Sequence, residues 1–522
     1  MTRSGETAIC VATLLAFLAL GTTGILHHEM WRDELEIWLI ARDSASPLDL
    51  LHNMRYEGHP ALWYAINYGL ARLSSDPWVM QLAHLLIGAA GAALFLWFAP
   101  FGVAHRVLFC GSYLVAYEFT VISRSYGLEL LLALAFCALY PQRRRHHPWL
   151  ALILFLLANT NLYGAILAAG LGLFAALEFL ADRRRQPGPG GRGPLASAAL
   201  AAGGIAIGVG QVWLQSRRIG ASHSYVPELD LAWYADSLAT LAIGYLPLPR
   251  FGSPHFWNTS ALEFLPGAIR TWVGALLAAA LVIASVRCLA GRPRVLLLFA
   301  SGVGAMLLIV TFLWYGQIRQ HAQPFLLFVL CAWLARCEPD SRPLRPSLGE
   351  QRRRRAERGE RLLPRFLGVL LALQLVAAAY AYAQDFARPF SNSRAAGSYL
   401  RQQDLRGTVL VGSVDFAAQT LAAYVREPIY YPESGRFGSF VHWGRERAAF
   451  VTPPQVFATA ARFLERSERG VVLITNYPMF ECAAGAEFET ASGVRVRCLA
   501  RFEGAIVVSE NFHLYWLGGP PE

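Results

Sequence analysis

Two adjacent carboxylates, Asp33 and Glu34, lie in the sequence HEMWRDELE at residues 28–36, directly after a long apolar run. That run, residues 8–26, carries no charged side chain and is about long enough to cross a bilayer as a helix. A carboxylate can remove the proton of an attacking hydroxyl group. The position of the pair therefore predicts a site of chemistry at the membrane surface.

A second group of chemically capable residues follows in the sequence EGHPALWY at residues 57–64. His59 carries an imidazole, which is only partly charged at neutral pH. Glu57 fits either a place in a substrate cavity or a structural pairing with an arginine. For Asp33 the structural alternative is a helix N-cap, because Asp is preferred there and a helical stretch is expected to begin near Glu34.

The composition indicates a membrane protein. The chain has 522 residues, of which 55% are hydrophobic and only 16% are charged. A soluble domain of this size carries about 25% charged residues. The net charge of +10 does not indicate a nucleic-acid ligand, because the dense arginine clusters fall between apolar runs. The composition therefore excludes an ordinary soluble protein and predicts no nucleic-acid partner.

The apolar runs predict eleven membrane spans and a cytoplasmic N-terminus. With that numbering, the arginine clusters at 143–145, 183–185 and 352–355 all lie on the cytoplasmic side, as the positive-inside rule requires. The predicted spans are 8–26, 78–99, 104–122, 126–140, 148–160, 163–181, 194–214, 269–289, 294–314, 323–337 and 363–383.

The predicted external segments include a first loop at 27–77 and a long loop at 215–268. Within the first loop, the interrupted apolar stretches 35–41 and 61–73 predict amphipathic helices that lie in the membrane interface. The long loop contains Tyr225 and is the natural lid over an acceptor substrate.

Residues 384–522 alternate predicted strands with predicted helices, which indicates a small extracytoplasmic α/β domain after a transmembrane catalytic domain at 1–383. No glycine-rich phosphate loop opens its first helix, so no nucleotide is assigned. Cys482 and Cys498 are its only cysteines, and the sequence leaves open whether they form a disulfide. The predicted elements are a strand at 409–412, a helix at 415–425, a strand at 429–431, a helix at 453–467, a strand at 470–475 and further strands within 496–517.

In their order along the chain, these motifs resemble the GT-C superfamily of polyprenyl-phosphate-sugar-dependent glycosyltransferases. Within it they resemble the family of protein O-mannosyltransferases and the bacterial lipid A aminoarabinose transferase. The resemblance covers about residues 1–335 and departs at Ala61, where the family has a second proline, and at His59, where some relatives have a phosphate-binding lysine. It rests on the Asp33-Glu34 pair, HPALWY at 59–64, SRSYGL at 123–128, NLYG at 161–164 and RQH at 319–321.

The resemblance implies a role for individual residues. Asp33 is implied as the general base, and Glu34 either orients the acceptor or Asp33, or faces water. Arg319 is the first candidate for the donor phosphate, because a guanidinium makes bidentate contacts to phosphate oxygens; snorkelling at a span end is its structural alternative. His321 is the second candidate for the phosphate, and a packing role is the alternative for Arg124 and Tyr126. The further phosphate candidates are His59 and Arg124, and the implied cavity residues are Glu57, Tyr126, Tyr163 and Tyr225.

The function implied is transfer of one sugar from a polyprenyl-phosphate donor to a hydroxyl group of a lipid, protein or envelope glycan. It takes place on the external face of the bacterial inner membrane, with inversion and without a required cofactor; a divalent metal is left open. The alternative from another class is a flippase or transporter of a lipid-linked saccharide. Such a protein is expected to show an internal repeat and polar residues near span midpoints, and the sequence shows neither. A membrane-anchored sensor would need only one span, and an oligosaccharyltransferase would carry a Trp-Trp-Asp sequence that is absent here.

Overall fold

The computed structural model describes residues 3–185, 193–218, 227–228, 230–337, 346–403, 405–425, 427–467 and 469–518. Tyr225, expected in the acceptor lid, lies outside the described residues. The helices are α1 (Arg3–His27), α2 (Arg32–Asp43), α3 (Pro47–Asn53), α4 (Leu62–Leu73), α5 (Trp78–Phe98), α6 (Val103–Cys110), α7 (Ser125–Leu139), α8 (Arg143–Ala158), α9 (Leu162–Arg185), α10 (Gly193–Ser216), α11 (Leu231–Tyr245), α12 (Gly267–Cys288), α13 (Pro293–Phe312), α14 (Ile318–His321), α15 (Gln323–Cys337), α16 (Pro346–Ala387), α17 (Ser393–Gln402), α18 (Asp415–Val425) and α19 (Pro453–Leu464). The strands are β1 (Thr408–Ser413), β2 (Ile429–Tyr431), β3 (Arg436–Gly438), β4 (Gly470–Thr475), β5 (Glu487–Glu489), β6 (Arg495–Phe502) and β7 (Phe512–Leu517).

The chain forms two compact units, each assembled from separate stretches of sequence. The first unit contains residues 1–23, 83–212 and 225–383. The second contains residues 24–82, 213–224 and 384–522. The segment that carries Asp33 therefore belongs to the same compact unit as the C-terminal α/β elements.

The protein is a polytopic, mostly helical membrane protein with a C-terminal sheet domain. Among the described residues, seven helices are long and apolar enough to cross a bilayer: α1, α5, α9, α10, α12, α13 and α16. The predicted spans at 126–140, 148–160 and 323–337 correspond to the shorter helices α7, α8 and α15. A helix of 15 residues rises about 22 Å, which is less than the hydrocarbon thickness of about 30 Å.

The region predicted as one span at 104–122 differs from that expectation. Helix α6 ends at Cys110, and after Gly111 and Ser112 the chain forms a π-helical turn at Tyr113–Glu118. The side chain of Glu118 is buried here and accepts a hydrogen bond from the Tyr113 hydroxyl at 2.9 Å. A carboxylate inside an apolar segment needs such partners, and the irregular backbone brings them to it.

The second unit confirms the two predicted helices of the first external loop as α2 and α4, which pack against each other. Its C-terminal part is a seven-stranded sheet with the order β3-β2-β1-β4-β7-β6-β5. Strand β1 runs parallel to β2 and β4, and the remaining pairs are antiparallel. The predicted strand–helix alternation is confirmed, with α19 ending at Leu464, while the short strands β3 and β5 were not predicted.

Apolar side chains of the sheet and of α19 form one buried core in this unit. In β4 and β7 the core side chains alternate with residues on the opposite face, as the two-residue period of a strand requires. Cys482 and Cys498 are joined by a disulfide beside this core. The core residues are Val411, Val456, Ala460, Val471, Leu473, Val496, Cys498, Tyr515 and Leu517.

Candidate functional site

Asp33 lies in the first turn of α2. The helix begins at Arg32, and its N-cap position is occupied by Trp31. The N-cap alternative for Asp33 is therefore wrong, because the helix starts before the residue rather than after it. The Asp33 side chain is 24% exposed, and one of its oxygens lies 3.6 Å from Nε of Arg32. The carboxylate is thus held on a regular helix and stays accessible to solvent.

Glu34 is completely buried and does not face water. Its Oε2 accepts a hydrogen bond from the backbone N–H of Trp31 at 3.2 Å and lies 3.0 Å from Nε2 of His28. Nδ1 of the same histidine lies 3.0 Å from Oδ2 of Asp385. Glu34 therefore caps the start of the helix and belongs to a buried His28–Glu34–Asp385 triad.

The protonation state of His28 follows from these two contacts. Burial lowers the pKa of the imidazole, but the carboxylates of Glu34 and Asp385 together outweigh burial and raise it to about 10. His28 is therefore an imidazolium at neutral pH. A buried cation between two carboxylates is stable because both of its N–H groups have an acceptor.

The backbone that leads into α2 is also held by side chains from the C-terminal part of the unit. Oε1 of Glu510 accepts the backbone N–H of Arg32 at 2.7 Å, and its Oε2 accepts the hydroxyl of Ser391 at 2.5 Å. The hydroxyl of Ser393 donates to the backbone carbonyl of Met30 at 3.0 Å. The segment before Asp33 is consequently fixed by hydrogen bonds on successive residues.

The rest of α2 packs on α18 of the α/β domain. Nε1 of Trp443 donates to Oε1 of Glu36 at 2.8 Å, and the guanidinium of Arg32 lies 4.5 Å from the ring centre of Phe416. Near the end of the helix, Ser439 donates to the carboxylate of Asp43 at 2.5 Å. Helix α2 thus contacts the α/β domain at both ends.

Glu57 and His59 lie in a turn of the same unit. Gly58 between them has a φ of 69°, a left-handed conformation that favours glycine. The backbone N–H and carbonyl of His59 are both hydrogen-bonded to the side-chain amide of Gln215 at 3.0 Å. The hydroxyl of Tyr64 donates to Glu57 at 3.3 Å, which links this turn to the first turn of α4.

The first unit contains a separate buried polar cluster around Arg319. Arg319 lies on the short helix α14, is 4% exposed, and its guanidinium carbon lies 5.8 Å from the ring centre of Trp257. Nε1 of Trp257 donates to Oε2 of Glu118 at 3.0 Å, and Tyr113 donates to the same carboxylate. A guanidinium buried to this degree among aromatic rings is not a snorkelling side chain, since snorkelling takes the charged group out to water.

Tyr126 joins Arg124 and Arg319 in this cluster. Its hydroxyl accepts a hydrogen bond from Nε2 of Gln320 at 2.8 Å, and both guanidinium groups are near enough to act electrostatically on its phenol. Arg124 is 8% exposed at the N-cap position of α7. The predicted residues Arg124, Tyr126 and Arg319 are therefore brought together within one unit.

His321 has a different environment from Arg319. Its Nε2 donates to the carbonyl of Tyr315 at 2.8 Å, and burial lowers the pKa of the ring to about 4. The histidine is therefore neutral at pH 7, with one N–H already used. Its backbone carbonyl packs directly over Gly244 of α11, where a Cβ atom would collide with it.

Tyr163 lies beside a buried carboxylate in the same unit. Asn161 donates from Nδ2 to Oε2 of Glu129 at 2.6 Å, and its Oδ1 accepts the backbone N–H of Gly164 at 3.0 Å. Tyr163 is buried and interacts electrostatically with both Glu129 and Tyr126. The NLYG sequence thus forms a hydrogen-bonded turn over Glu129.

Sequence reasoning missed several polar residues, some around the first turn of α2 in the second unit and others in the buried polar cluster of the first unit. His28 belongs to the HEMWRDELE sequence, but nothing local distinguishes it from a connecting residue. A usable signal existed for Glu118 and Glu129, because ionisable residues within membrane-length apolar segments are functional candidates by default. In the described part of the chain, no three His, Cys, Asp or Glu side chains are arranged so that they could hold a metal ion. The missed residues are His28, Glu118, Glu129, Asp385 and Glu510.

The fold has a full-length counterpart among solved structures. The structure of ArnT from Cupriavidus metallidurans in the apo state matches with a TM-score of 0.50 at 14% identity, over 100% of both chains. The chain has the GT-C fold. No protein-family profile matches the chain, and no curated protein matches it by sequence.

Two further GT-C structures are similar to this chain at a lower score. ArnT from Cupriavidus metallidurans bound to undecaprenyl phosphate has a TM-score of 0.49 and 14% identity, with 99% of this chain and 100% of that chain covered. The arabinosyltransferase EmbB from Mycobacterium smegmatis has a TM-score of 0.32 and 16% identity, with 76% of this chain and 44% of that chain covered.

Proposed function

We propose that this GT-C protein is a membrane glycosyltransferase that moves one sugar from a polyprenyl-phosphate donor to an acceptor hydroxyl on the external face of a bacterial inner membrane. The full-length likeness to apo ArnT supports a fold of this kind. ArnT has also been solved with undecaprenyl phosphate bound, and we propose a donor lipid of the same chemical class here. The acceptor is a lipid, a protein or an envelope glycan.

The observation that carries the proposal is the contrast between Asp33 and its acidic neighbours. Glu34 and Glu36 are buried and hydrogen-bonded to protein groups, whereas the Asp33 carboxylate is partly exposed on a firmly held helix turn. Asp33 therefore has the accessibility and the fixed orientation that a general base needs. It takes the proton of the acceptor hydroxyl as that oxygen attacks the anomeric carbon.

The leaving group of this reaction is a lipid phosphate, whose developing charge needs fixed positive groups. Arg319 is our first choice, because its guanidinium is buried and held among aromatic side chains. Arg124 is second, and His59 is third. His321 ranks last, since it is neutral at pH 7 and donates to Tyr315. With a β-linked donor, one displacement gives an α-linked product.

We propose that the reaction needs no divalent metal. Activity measured after dialysis against EDTA is expected to equal that of the untreated enzyme, and addition of Mg²⁺, Mn²⁺ or Zn²⁺ is expected to leave it unchanged. A loss of activity that one of these metals restores would contradict this part of the proposal.

The test compares the wild type with Asp33→Asn in purified protein reconstituted into lipid. Radiolabelled polyprenyl-phosphate sugars are offered as donors with a membrane extract as acceptor. The matched control is Asp76→Asn. Asp76 is an exposed aspartate of the same unit and accepts a hydrogen bond from the backbone N–H of Trp78, which the side-chain oxygen of asparagine can also accept. We expect labelled product from the wild type and the control, and about 10²–10⁴-fold less from Asp33→Asn with donor binding retained.

Two other outcomes separate the alternatives. Equal transfer by Asp33→Asn and wild type would remove Asp33 from catalysis and leave the enzyme class intact. No transfer from any donor, combined with movement of the lipid-linked sugar between leaflets, would replace the glycosyltransferase by a flippase.

A further inference from the structure

The His28–Glu34–Asp385 triad is a hydrogen-bonded group of buried ionisable side chains in the second unit. His28 is fully buried, and each of its ring nitrogens lies 3.0 Å from a carboxylate oxygen. The ring also lies 4.4 Å from the ring of Phe390, measured between centres. Two carboxylates that share one buried site repel each other unless a cation lies between them.

The triad connects two distant parts of the chain at one point. Asp385 belongs to the last turns of α16, and His28 follows the end of α1. Glu34 occupies the third position of α2 and accepts the N–H of Trp31, a hydrogen bond that closes the first turn of this helix. The orientation of Glu34 therefore decides how the first turn of α2 is held.

Asp33 is the residue immediately before Glu34 in that turn. A carboxylate on the first turn of a helix changes direction when the turn frays, because its Cα–Cβ bond follows the backbone. The partners of Glu34 are consequently also the supports of Asp33. A displacement of about 1 Å in a catalytic group can reduce the rate about 100-fold.

We propose that His28 is a positioning residue for sugar transfer. As an imidazolium between Glu34 and Asp385, it fixes the first turn of α2 and thereby the carboxylate of Asp33. The inference rests on the proposed function, in which Asp33 is the general base. His28 itself is fully buried and is assigned no contact with substrate.

The test uses the full-length, lipid-reconstituted protein with His28→Gln. Glutamine offers hydrogen bonds at this position but no positive charge, so two buried carboxylates are left without their cation. The matched control is His52→Gln, because His52 is an exposed histidine of the same unit, on α3. The double variant His28→Gln with Asp385→Asn removes the cation together with one carboxylate.

Two readouts are measured for each variant. The first is kcat and the KM for a labelled polyprenyl-phosphate sugar. The second is backbone amide hydrogen exchange of residues 31–35, which reports on the first turn of α2 independently of activity. For His28→Gln we expect kcat to fall roughly 10- to 100-fold with little change in KM. Exchange in this segment should become at least about tenfold faster, since the turn opens more often.

The control and the double variant complete the expected pattern. His52→Gln should match the wild type in both readouts. The double variant should have a kcat between those of His28→Gln and the wild type, because one uncompensated charge has been removed. If His28→Gln is not recovered folded, the double variant is compared directly with the wild type, and faster exchange at residues 31–35 is again expected.

Several results would overturn the inference. Unchanged exchange at residues 31–35 would show that His28 does not hold this turn, and faster exchange with unchanged kcat would show that the turn does not position the base. A double variant no better than His28→Gln would show that charge compensation is not the cause. Retained transfer by Asp33→Asn would instead contradict the assignment of Asp33 as the general base, on which the inference rests, while the exchange result still decides whether His28 holds the first turn of α2.

Discussion

The carboxylate of Glu510 accepts the backbone N–H of Arg32 at 2.7 Å and the hydroxyl of Ser391 at 2.5 Å, without exposure to solvent. One acidic side chain near the C-terminus thus holds the first residue of α2, the helix that carries Asp33. Loss of this carboxylate would leave two buried donors without an acceptor.

Replacement of Glu510 by Ala is therefore expected to lower the free energy of unfolding by about 1–3 kcal/mol for each donor left unsatisfied. Thermal unfolding of the reconstituted protein measures the loss. Glu481→Ala serves as the control, because Glu481 is exposed. Equal melting temperatures for Glu510→Ala and Glu481→Ala would mean that these hydrogen bonds contribute nothing to stability.

Glu510 also predicts a dependence of stability on pH. Burial raises its pKa from 4.5 to about 7, more than the hydrogen bonds from Ser391 and Arg32 lower it. Between these two pH values the folded protein binds a proton that the unfolded chain has lost. The contribution of Glu510 to the free energy of unfolding therefore falls as the pH rises from about 4.5 to 7, and is constant above.

Glu510→Gln removes this titration while it keeps the size of the side chain. The Tm of the wild type minus the Tm of Glu510→Gln should decrease as the pH is raised from 5 to 7. It should change little between pH 7.5 and 8.5. A difference that is the same at every pH would contradict the raised pKa of Glu510.

Replacement of Arg319 by lysine is expected to weaken binding of the donor, although the positive charge is kept. A hydrogen bond to a charged group contributes about 1.5–3 kcal/mol, so Arg319→Lys should raise the KM for the labelled donor about 10- to 100-fold. The control is Arg250→Lys, an exposed arginine of the same unit. A lower Tm with an unchanged KM and an unchanged kcat would assign Arg319 a packing role instead.

Removal of only one partner from the buried ion pair of the α/β domain is expected to lower the free energy of unfolding by a large amount. Arg447 donates from Nε and a terminal nitrogen to the two oxygens of Asp415, at 2.7 and 2.6 Å. Arg447→Met leaves the buried Asp415 carboxylate without its cationic partner and should destabilise the domain by about 3–5 kcal/mol. Denaturant unfolding followed by proteolysis of the domain measures this change.

The double variant Arg447→Met with Asp415→Asn is the informative comparison for that pair. It should be more stable than Arg447→Met alone, because no uncompensated charge remains. A double variant that is as unstable as the sum of the two single ones would show that the two residues act independently.

The disulfide predicts that the α/β domain lies in an oxidising compartment and that the bond contributes to the stability of the domain. Cys482 and Cys498 close a loop over a sequence separation of 16 residues, and their replacement by Ser should cost about 3 kcal/mol. Mass spectrometry after thiol alkylation should find both residues protected unless reductant is added. The partly exposed Cys337 is free and should be alkylated under both conditions. Alkylation of Cys482 without reductant would contradict the disulfide.

The sequence by itself determined the class of protein and most of the secondary structure. Long apolar runs identify membrane helices, and the strand–helix alternation after residue 384 identifies the α/β domain, because these are local periodicities that one segment carries alone. The helices of the first external loop were predicted for the same reason. The structure of residues 104–122 was not predicted correctly, because the π-helical turn in this region depends on the partners of Glu118 rather than on hydropathy.

Only the tertiary structure decided how the acidic residues divide their roles. In sequence, Asp33, Glu34 and Glu36 are three similar carboxylates on one short helix. Glu34 differs from the other two because it contacts His28. His28 in turn contacts Asp385, which lies 357 residues further along the chain. Glu36 is likewise distinguished by Trp443, 407 residues away. Contacts over such distances depend on which buried polar groups meet in the folded chain, and no local pattern encodes that pairing.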